Sequence, residues 1–132
     1  MCSAGGMGIR SLQDLQVYQD SLDAAEAVSA LLRRDGLRRD FHLRGQLAKA
    51  SDEIASHIGE GFGQQTDRHF AHYLGIARGS CNEICTHLAI ARGREYLTKA
   101  ECDEVCARYV RIGKRLTRLM QHLRMEDRKR RG

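Results

Sequence analysis

The sequence predicts an all-α protein that folds as an antiparallel up-down four-helix bundle. The 132 residues contain no proline, and apolar residues make up 42% and charged residues 30% of the chain. This composition suits helices better than sheets. Apolar residues also recur at spacings of three and four in four successive segments, the pattern of amphipathic helices. Short connections separate these segments, and helices joined in this way pack most simply as an antiparallel bundle.

The first helix is predicted to begin at Ser11 and to end near Gly36. The stretch Ser11-Leu-Gln-Asp14 has the pattern of a capping box, in which the serine and the acid satisfy free backbone N–H groups. Glycine is the usual residue that stops a helix, because it readily adopts the left-handed conformation. The predicted apolar face consists of Leu15, Tyr18, Leu22, Ala25, Val28 and Leu32.

Asp40 can cap the second helix, and three alternating glycines, Gly59, Gly61 and Gly63, are predicted to end it. These glycines do not predict a phosphate-binding loop. Such a loop follows a strand and precedes a helix, whereas here a helix comes first and no Lys-Ser or Lys-Thr pair follows. The apolar face of this helix consists of Leu43, Leu47, Ala50, Ile54 and Ile58.

The third and fourth helices both begin at capping signals. Thr66 and Asp67 precede the third, which is predicted to stop between residues 93 and 96, and Thr98-Lys-Ala-Glu101 forms a capping box before the fourth. The apolar face of the third helix consists of Phe70, Tyr73, Leu74, Ala77, Cys81, Ile84, Leu88 and Ala91. That of the fourth consists of Cys102, Val105, Tyr109, Ile112, Leu116, Leu119 and Leu123.

These signals divide the chain into a disordered N-terminal tail (residues 1–10), the bundle (residues 11–124) and a polar, fraying basic tail (residues 125–132). No uncharged stretch approaches the roughly 20 apolar residues that a membrane span needs, and no basic region followed by an apolar run opens the sequence. We therefore expect a cytoplasmic protein with no membrane partner.

Positive charge is concentrated in the second half of the chain. Residues 1–65 carry 7 basic and 9 acidic side chains, whereas residues 66–132 carry 15 and 8. Arg108, Arg111, Arg115, Arg118 and His122 are spaced so that they form a line on the last helix, which we call the basic stripe. Such a stripe can follow phosphates, although it could also be a solvated face that only keeps the protein soluble.

We predict that the stripe, its neighbour Lys114 and the tail contact nucleic acid. Aromatic residues are scarce and mostly lie on apolar faces, so the backbone or shape of structured RNA or duplex DNA is a better ligand than stacked bases. The residues expected to bind nucleic acid are Arg108, Arg111, Lys114, Arg115, Arg118, Arg128, Lys129, Arg130 and Arg131.

Two enzyme-like or metal-binding alternatives have weaker support. Arg115 and His122 fit the loose arginine–histidine spacing of the HEPN helical ribonucleases, but this spacing is common by chance in a chain with so many arginines. Cys81 and Cys85, together with a second pair at residues 102 and 106, could approach one another and bind a soft metal near His87. Free cysteines on apolar faces usually act as small apolar residues, so we expect no metal, no cofactor and no catalytic residue.

Several segments of the chain resemble one family. They are Ile54-Ala-Ser-His-Ile-Gly-Glu-Gly-Phe62, Tyr73-Leu-Gly-Ile-Ala-Arg-Gly-Ser80 with Glu83, Tyr96-Leu-Thr98, and Leu12-Gln-Asp-Leu-Gln-Val-Tyr18. Together they resemble the intervening-sequence proteins, a four-helix-bundle family encoded within insertions in bacterial 23S ribosomal RNA genes. The similarity spans about residues 12 to 123. The chain lacks the proline and asparagine that the family usually has before Gly59, and it has Cys85 where a second glutamate is common.

The resemblance implies a homopentameric barrel with a positively charged surface and no established catalytic residues. The family is similar to the accessory protein of diversity-generating retroelements, which works with a reverse transcriptase and its RNA. An ion pair or hydrogen bond that fixes a helix connection is our preferred role for Glu60, with Arg78 as a candidate partner. The structural motif that the resemblance marks comprises Glu60, Gly61, Arg78, Gly79, Ser80 and Glu83.

Three functional hypotheses follow. The first is a non-catalytic oligomeric accessory factor that binds structured RNA or DNA. The second is an adaptor that docks onto a reverse transcriptase, and the third is an HEPN-like ribonuclease.

Overall fold

The computed structural model describes residues 10–132, which form an all-helical bundle without strands. Almost all of the predicted N-terminal tail (residues 1–10) lies outside these residues. A short 3-10 turn precedes five α-helices, so the helical fold class is confirmed. The elements are the 3-10 turn Leu12–Asp14 and the helices α1 (Gln16–Leu32), α2 (Asp35–Arg39), α3 (Phe41–Phe62), α4 (Asp67–Gly93) and α5 (Lys99–Arg131).

The four long helices surround one core. α4 packs against α3 and α5, and α1 packs against the same two helices from the other side. The predicted apolar faces of α3, α4 and α5 point inward, with only Tyr73 among their residues partly exposed. The largest fully buried side chains are Tyr109, Phe70, Leu37, Leu47, Ile54, Ile58, Leu74, Ile84, Leu88, Ile112, Leu116 and Leu123.

The predicted face of α1 was wrong in part: Leu15 and Val28 are buried, but the centre of the face is displaced. Leu22 is 40% exposed, whereas Ser21 and Ala24 are fully buried. The hydroxyl of Ser21 donates a hydrogen bond to the carbonyl oxygen of Tyr18 at 2.6 Å, which satisfies the serine inside the core. The buried face of α1 is therefore turned by about one residue from the prediction, and consists of Val17, Ser21, Ala24, Val28 and Leu31.

Glycines at two helix positions are required by packing and do not stop a helix as predicted. Gly36 lies inside α2, where a β-carbon would stand 2.3 Å from Cδ1 of Tyr96. Gly61 lies inside α3, where a β-carbon would stand 2.9 Å from side-chain atoms of Phe70 and Tyr73. α3 instead ends at Phe62, with Gly63 as its C-cap residue.

The capping signals were read correctly at three helices. The side chain of Asp40 accepts from the backbone N–H of Leu43, and that of Thr66 from His69, each at 3.2 Å. At α5 the box is complete, because Thr98 accepts from the N–H of Glu101 at 3.1 Å and the carboxylate of Glu101 accepts from the N–H of Thr98 at 2.9 Å. At the N-terminal end, Ser11 begins the 3-10 turn, and α1 starts later, at Gln16.

The predicted fraying tail is helical, because α5 continues to Arg131. Arg130 forms an ion pair with Asp67, whose side chain is fully buried at the start of α4. Arg131 and Lys129 pair with acids of the same helix, at 3.2 Å to Asp127 and 3.3 Å to Glu126. These pairs stabilise the last turns. None of the helices in the described part of the chain is long and apolar enough to cross a membrane.

Candidate nucleic-acid interface

The basic stripe runs along α5, and its first three residues, Arg108, Arg111 and Arg115, lie beside α1. Each of its residues directly precedes a core residue, so the helix holds the stripe beside the buried face. Arg111, Arg115 and Arg118 are exposed, while Arg108 and His122 are partly buried. The predicted line of cations therefore exists at the surface.

Acids from α1 and α5 neutralise part of the stripe. Arg108 binds Glu104 with 3.0 Å between Nε and Oε1, and Arg115 reaches Asp20 of α1 with 3.4 Å between Nε and Oδ2. Asp20 and Asp23 also line a small groove between α1 and α5 together with arginines of the stripe. The sequence of α5 alone, which is nearly free of acids over this stretch, gave no sign of these α1 partners.

Five cations of α5 have no carboxylate within 4.0 Å among residues 10–132. We call them the unpaired band. Arg111, Lys114 and Arg118 are exposed on α5, while Arg124 and Arg128 line a groove next to α4. The unpaired band therefore consists of Arg111, Lys114, Arg118, Arg124 and Arg128. Of the predicted tail residues only Arg128 belongs to it, because Lys129, Arg130 and Arg131 pair with acids.

The groove beside Arg124 and Arg128 contains residues that the sequence did not single out. It lies between the first turns of α4 and the last turns of α5, and Arg68 and His72 line its α4 side. The only sequence signal was the four-residue spacing within each pair, 68 with 72 and 124 with 128, which places both members on one face of a helix.

The structural motif does not form a single site. Arg78 does not pair with Glu60, contrary to our expectation, and instead donates a hydrogen bond to Thr117 of α5 at 3.2 Å. Glu60 is exposed and makes no ion pair within the described residues, while Glu83 contacts His87 at 3.3 Å. The remaining members divide into Gly61 and Ser80, which are buried, and Gly79, where a β-carbon would meet open space.

The cysteines lie where α4 and α5 face each other, as predicted. The thiol of Cys85 contacts the carbonyl oxygen of Cys106 at 3.8 Å, and the Cys102 and Cys106 sulfurs are 3.9 Å apart. Burial raises the pKa of Cys81 to about 12 and those of Cys102 and Cys106 to about 11. Over residues 10–132, no three His, Cys, Asp or Glu side chains are grouped to hold a metal ion. These protonated thiols act as apolar packing groups.

Arg115 and His122, the pair expected of a ribonuclease, do not come together at one site. They are seven residues apart, which at 1.5 Å per residue is about 10 Å along the helix axis. Arg115 is engaged by Asp20 on α1, and no contact joins it to His122. The geometry thus provides no observation in favour of this hypothesis.

Comparison with known proteins identifies the family of this chain and a solved structure with a similar fold. The family model described as 23S rRNA-intervening sequence protein matches residues 13–118. Among solved structures, the chain is similar to a protein of unknown function from the S23 ribosomal protein family of Bacteroides thetaiotaomicron. The two are 22% identical with a TM-score of 0.72, over 79% of this chain and 97% of the other. No curated protein matches the chain.

Proposed function

Because the chain belongs to the family of 23S rRNA-intervening sequence proteins, we propose that it is a non-catalytic protein that binds the phosphate backbone of structured RNA or duplex DNA. It acts as an oligomeric accessory factor in the cytoplasm. The observation that carries this proposal is the unpaired band on α5. Cations without protein partners can exchange their counterions for phosphates, which drives binding to nucleic acid.

The positions of the aromatic residues favour backbone contact over base stacking. Phe41 is the only exposed aromatic residue in the described part of the chain, and it lies at the start of α3 next to Arg44. α5 therefore offers charge without a stacking platform. Proteins of that kind read the shape and phosphates of a structured nucleic acid.

The test is fluorescence-anisotropy binding to an RNA hairpin, duplex DNA and single-stranded DNA over a salt series. Arg111→Gln/Arg118→Gln removes two unpaired cations, and Arg108→Gln/Arg115→Gln removes two paired ones from the same helix. We expect the first variant to lower the salt slope by about two and to weaken binding about tenfold or more. The second should lose less affinity, because its arginines are already partly neutralised.

Absence of salt-dependent binding by the wild type to all three ligands would overturn this proposal. The alternative would then be an adaptor that docks onto a protein such as a reverse transcriptase. An open groove between α1 and α3, lined by Tyr18, exposed Leu22 and Gly59 among others, is the observation that favours a protein partner.

We also propose that the helices run up and down in an antiparallel bundle that assembles into a homo-oligomer, pentameric by the family resemblance. The ion pair of Arg34 near the end of α1 with Glu101 at the start of α5 supports the antiparallel direction. Exposed Leu22 in the α1–α3 groove is the apolar side chain on which a second copy would pack. Light scattering of the wild type should show a single oligomeric species. Leu22→Glu should dissociate this oligomer. A monomeric wild type would contradict it.

A further inference from the structure

The ends of α4 and α5 form a groove that collects positive charge. Its volume is about 510 Å³. Arg68 and His72 lie four residues apart on α4, and Arg124 and Arg128 lie four residues apart on α5, so two pairs of nitrogen donors border one concave space. Ala71 lies between the α4 pair in sequence and lines the same groove with a small side chain, which leaves room between the helices.

This charge is not balanced by protein acids. None of the three arginines has a carboxylate within 4.0 Å among residues 10–132. The one acid that lines the groove, Asp127, is bound by Arg131 at 3.2 Å. Arg124 and Arg128 are like charges at a spacing that destabilises a helix when nothing screens them. An anion between the helices would remove this repulsion.

We propose that the groove binds a phosphate monoester. The guanidinium group presents paired N–H donors that match two phosphate oxygens, and three such groups can surround one phosphate. A monoester carries about −1.5 to −2 charges at neutral pH, whereas a backbone diester carries one, so clustered arginines favour the monoester. The imidazole of His72 adds a further nitrogen donor at the rim.

Two sources can supply this group. One is the terminal phosphate of a nucleic-acid strand, and that source rests on the function proposed above. The other is a small phosphorylated molecule such as a nucleoside monophosphate. Strand ends would then be bound in the groove while Arg111, Lys114 and Arg118 contact the adjoining backbone.

The experiment compares one RNA hairpin with a 5′-phosphate overhang and the same hairpin with a 5′-hydroxyl, and titrates AMP and inorganic phosphate separately by calorimetry. The groove variant is Arg68→Gln/Arg124→Gln. The control is Arg111→Gln/Arg118→Gln, which loses the same charge outside the groove. All four positions are exposed, and circular dichroism melting verifies that each variant folds.

We expect the wild type to prefer the 5′-phosphate hairpin about tenfold, the effect of one or two charge-assisted hydrogen bonds. The groove variant should lose this preference. The control should bind both hairpins more weakly and keep it. If AMP or phosphate binds the wild type but not the groove variant while neither hairpin binds, the groove holds a small phosphorylated molecule and the nucleic-acid function is wrong.

A different result would overturn the phosphate-monoester site but leave the backbone-binding function intact. Equal binding of the two hairpins, together with AMP and phosphate titrations that the groove variant leaves unchanged, would overturn the phosphate-monoester site. The backbone-binding function would survive that outcome if the control variant still weakened both hairpins.

Discussion

The hydroxyl of Tyr96 donates a 2.9 Å hydrogen bond to the carboxylate of Asp40, the residue that caps α3. Arg94 binds the same carboxylate oxygen at 2.8 Å, and the ring of Tyr96 packs against Gly36 of α2. Glu95, between the two donors, has a left-handed backbone with φ of 64°. One side chain thus ties the start of α3 to the connection between α4 and α5.

This arrangement predicts a change in acid stability. The N–H of Leu43 chiefly, with the Tyr96 hydroxyl, holds the pKa of Asp40 below its ordinary value of 3.8. A carboxyl with a depressed folded pKa stabilises the protein above its unfolded pKa, and this contribution is lost as the pH falls through the folded pKa. Urea midpoints measured from pH 6 to pH 2.5 should therefore fall less steeply in Asp40→Asn.

Tyr96→Phe removes one of the donors that lower the pKa of Asp40. The fall of its urea midpoint between pH 6 and pH 2.5 should therefore lie between those of the wild type and Asp40→Asn. Parallel profiles for all three proteins would show that Asp40 does not contribute to the pH dependence of folding.

Gly36→Ala should destabilise the protein by about 1–3 kcal/mol, because the new methyl group would overlap the Tyr96 ring. The ring cannot move away without losing its bond to Asp40. Gly45→Ala is the matched control, since a β-carbon there meets nothing within 4 Å in the interior of α3. That change should stabilise by about 0.5–1 kcal/mol through helix propensity. Urea unfolding measures the change in unfolding free energy of each variant. Changes of the same sign in Gly36→Ala and Gly45→Ala would contradict the packing argument.

Thr98→Ala removes the hydroxyl that accepts from Glu101 at the start of α5. The expected loss is about 1 kcal/mol of unfolding free energy. Thr86→Ala, which removes an exposed hydroxyl bonded to the carbonyl of Asn82 within α4, should change stability by less than about 0.5 kcal/mol. Thermal unfolding distinguishes them. If Thr98→Ala costs no more than Thr86→Ala, the capping box does not stabilise α5.

Cys81 should resist alkylation in the folded protein. It is 3% exposed, and burial raises its pKa to about 12, so only about one thiol in ten thousand is ionised at pH 8. Peptide mapping after iodoacetamide treatment should show far slower labelling of Cys81 in native than in denatured protein. Equal rates in the two states would show that the thiol is accessible and ionised.

The sequence predicted best those features that depend on one helix alone, such as which of its faces is buried. α3, α4 and α5 were predicted with their buried faces, since large apolar residues recur on each at helical spacing. The face predicted for α1 was displaced by about one residue, because Ser21 is buried with its hydroxyl bonded to the backbone, and a pattern of hydrophobicity counts serine as polar.

The sequence predicted the position of the cations of the candidate site but not their partners. Helical spacing located the basic stripe, but its pairing with Asp20 depends on how α1 lies beside α5. The groove between Arg68 and Arg124 depends in the same way on two helix ends meeting. The roles of Gly36 and Gly61 differ from the prediction because each is set by a side chain outside the glycine's own helix, Tyr96 for Gly36 and Phe70 with Tyr73 for Gly61.

The ion pair of Arg130 with the buried carboxylate of Asp67 fixes the last turn of α5 to the first turn of α4. Helix ends usually open and close more often than the rest of a bundle. Here, opening of the final turn would expose a buried charge, so its amide hydrogens should exchange with solvent as slowly as those of the neighbouring turns. One border of the proposed phosphate groove is consequently a helix end that cannot open without breaking the Arg130–Asp67 ion pair.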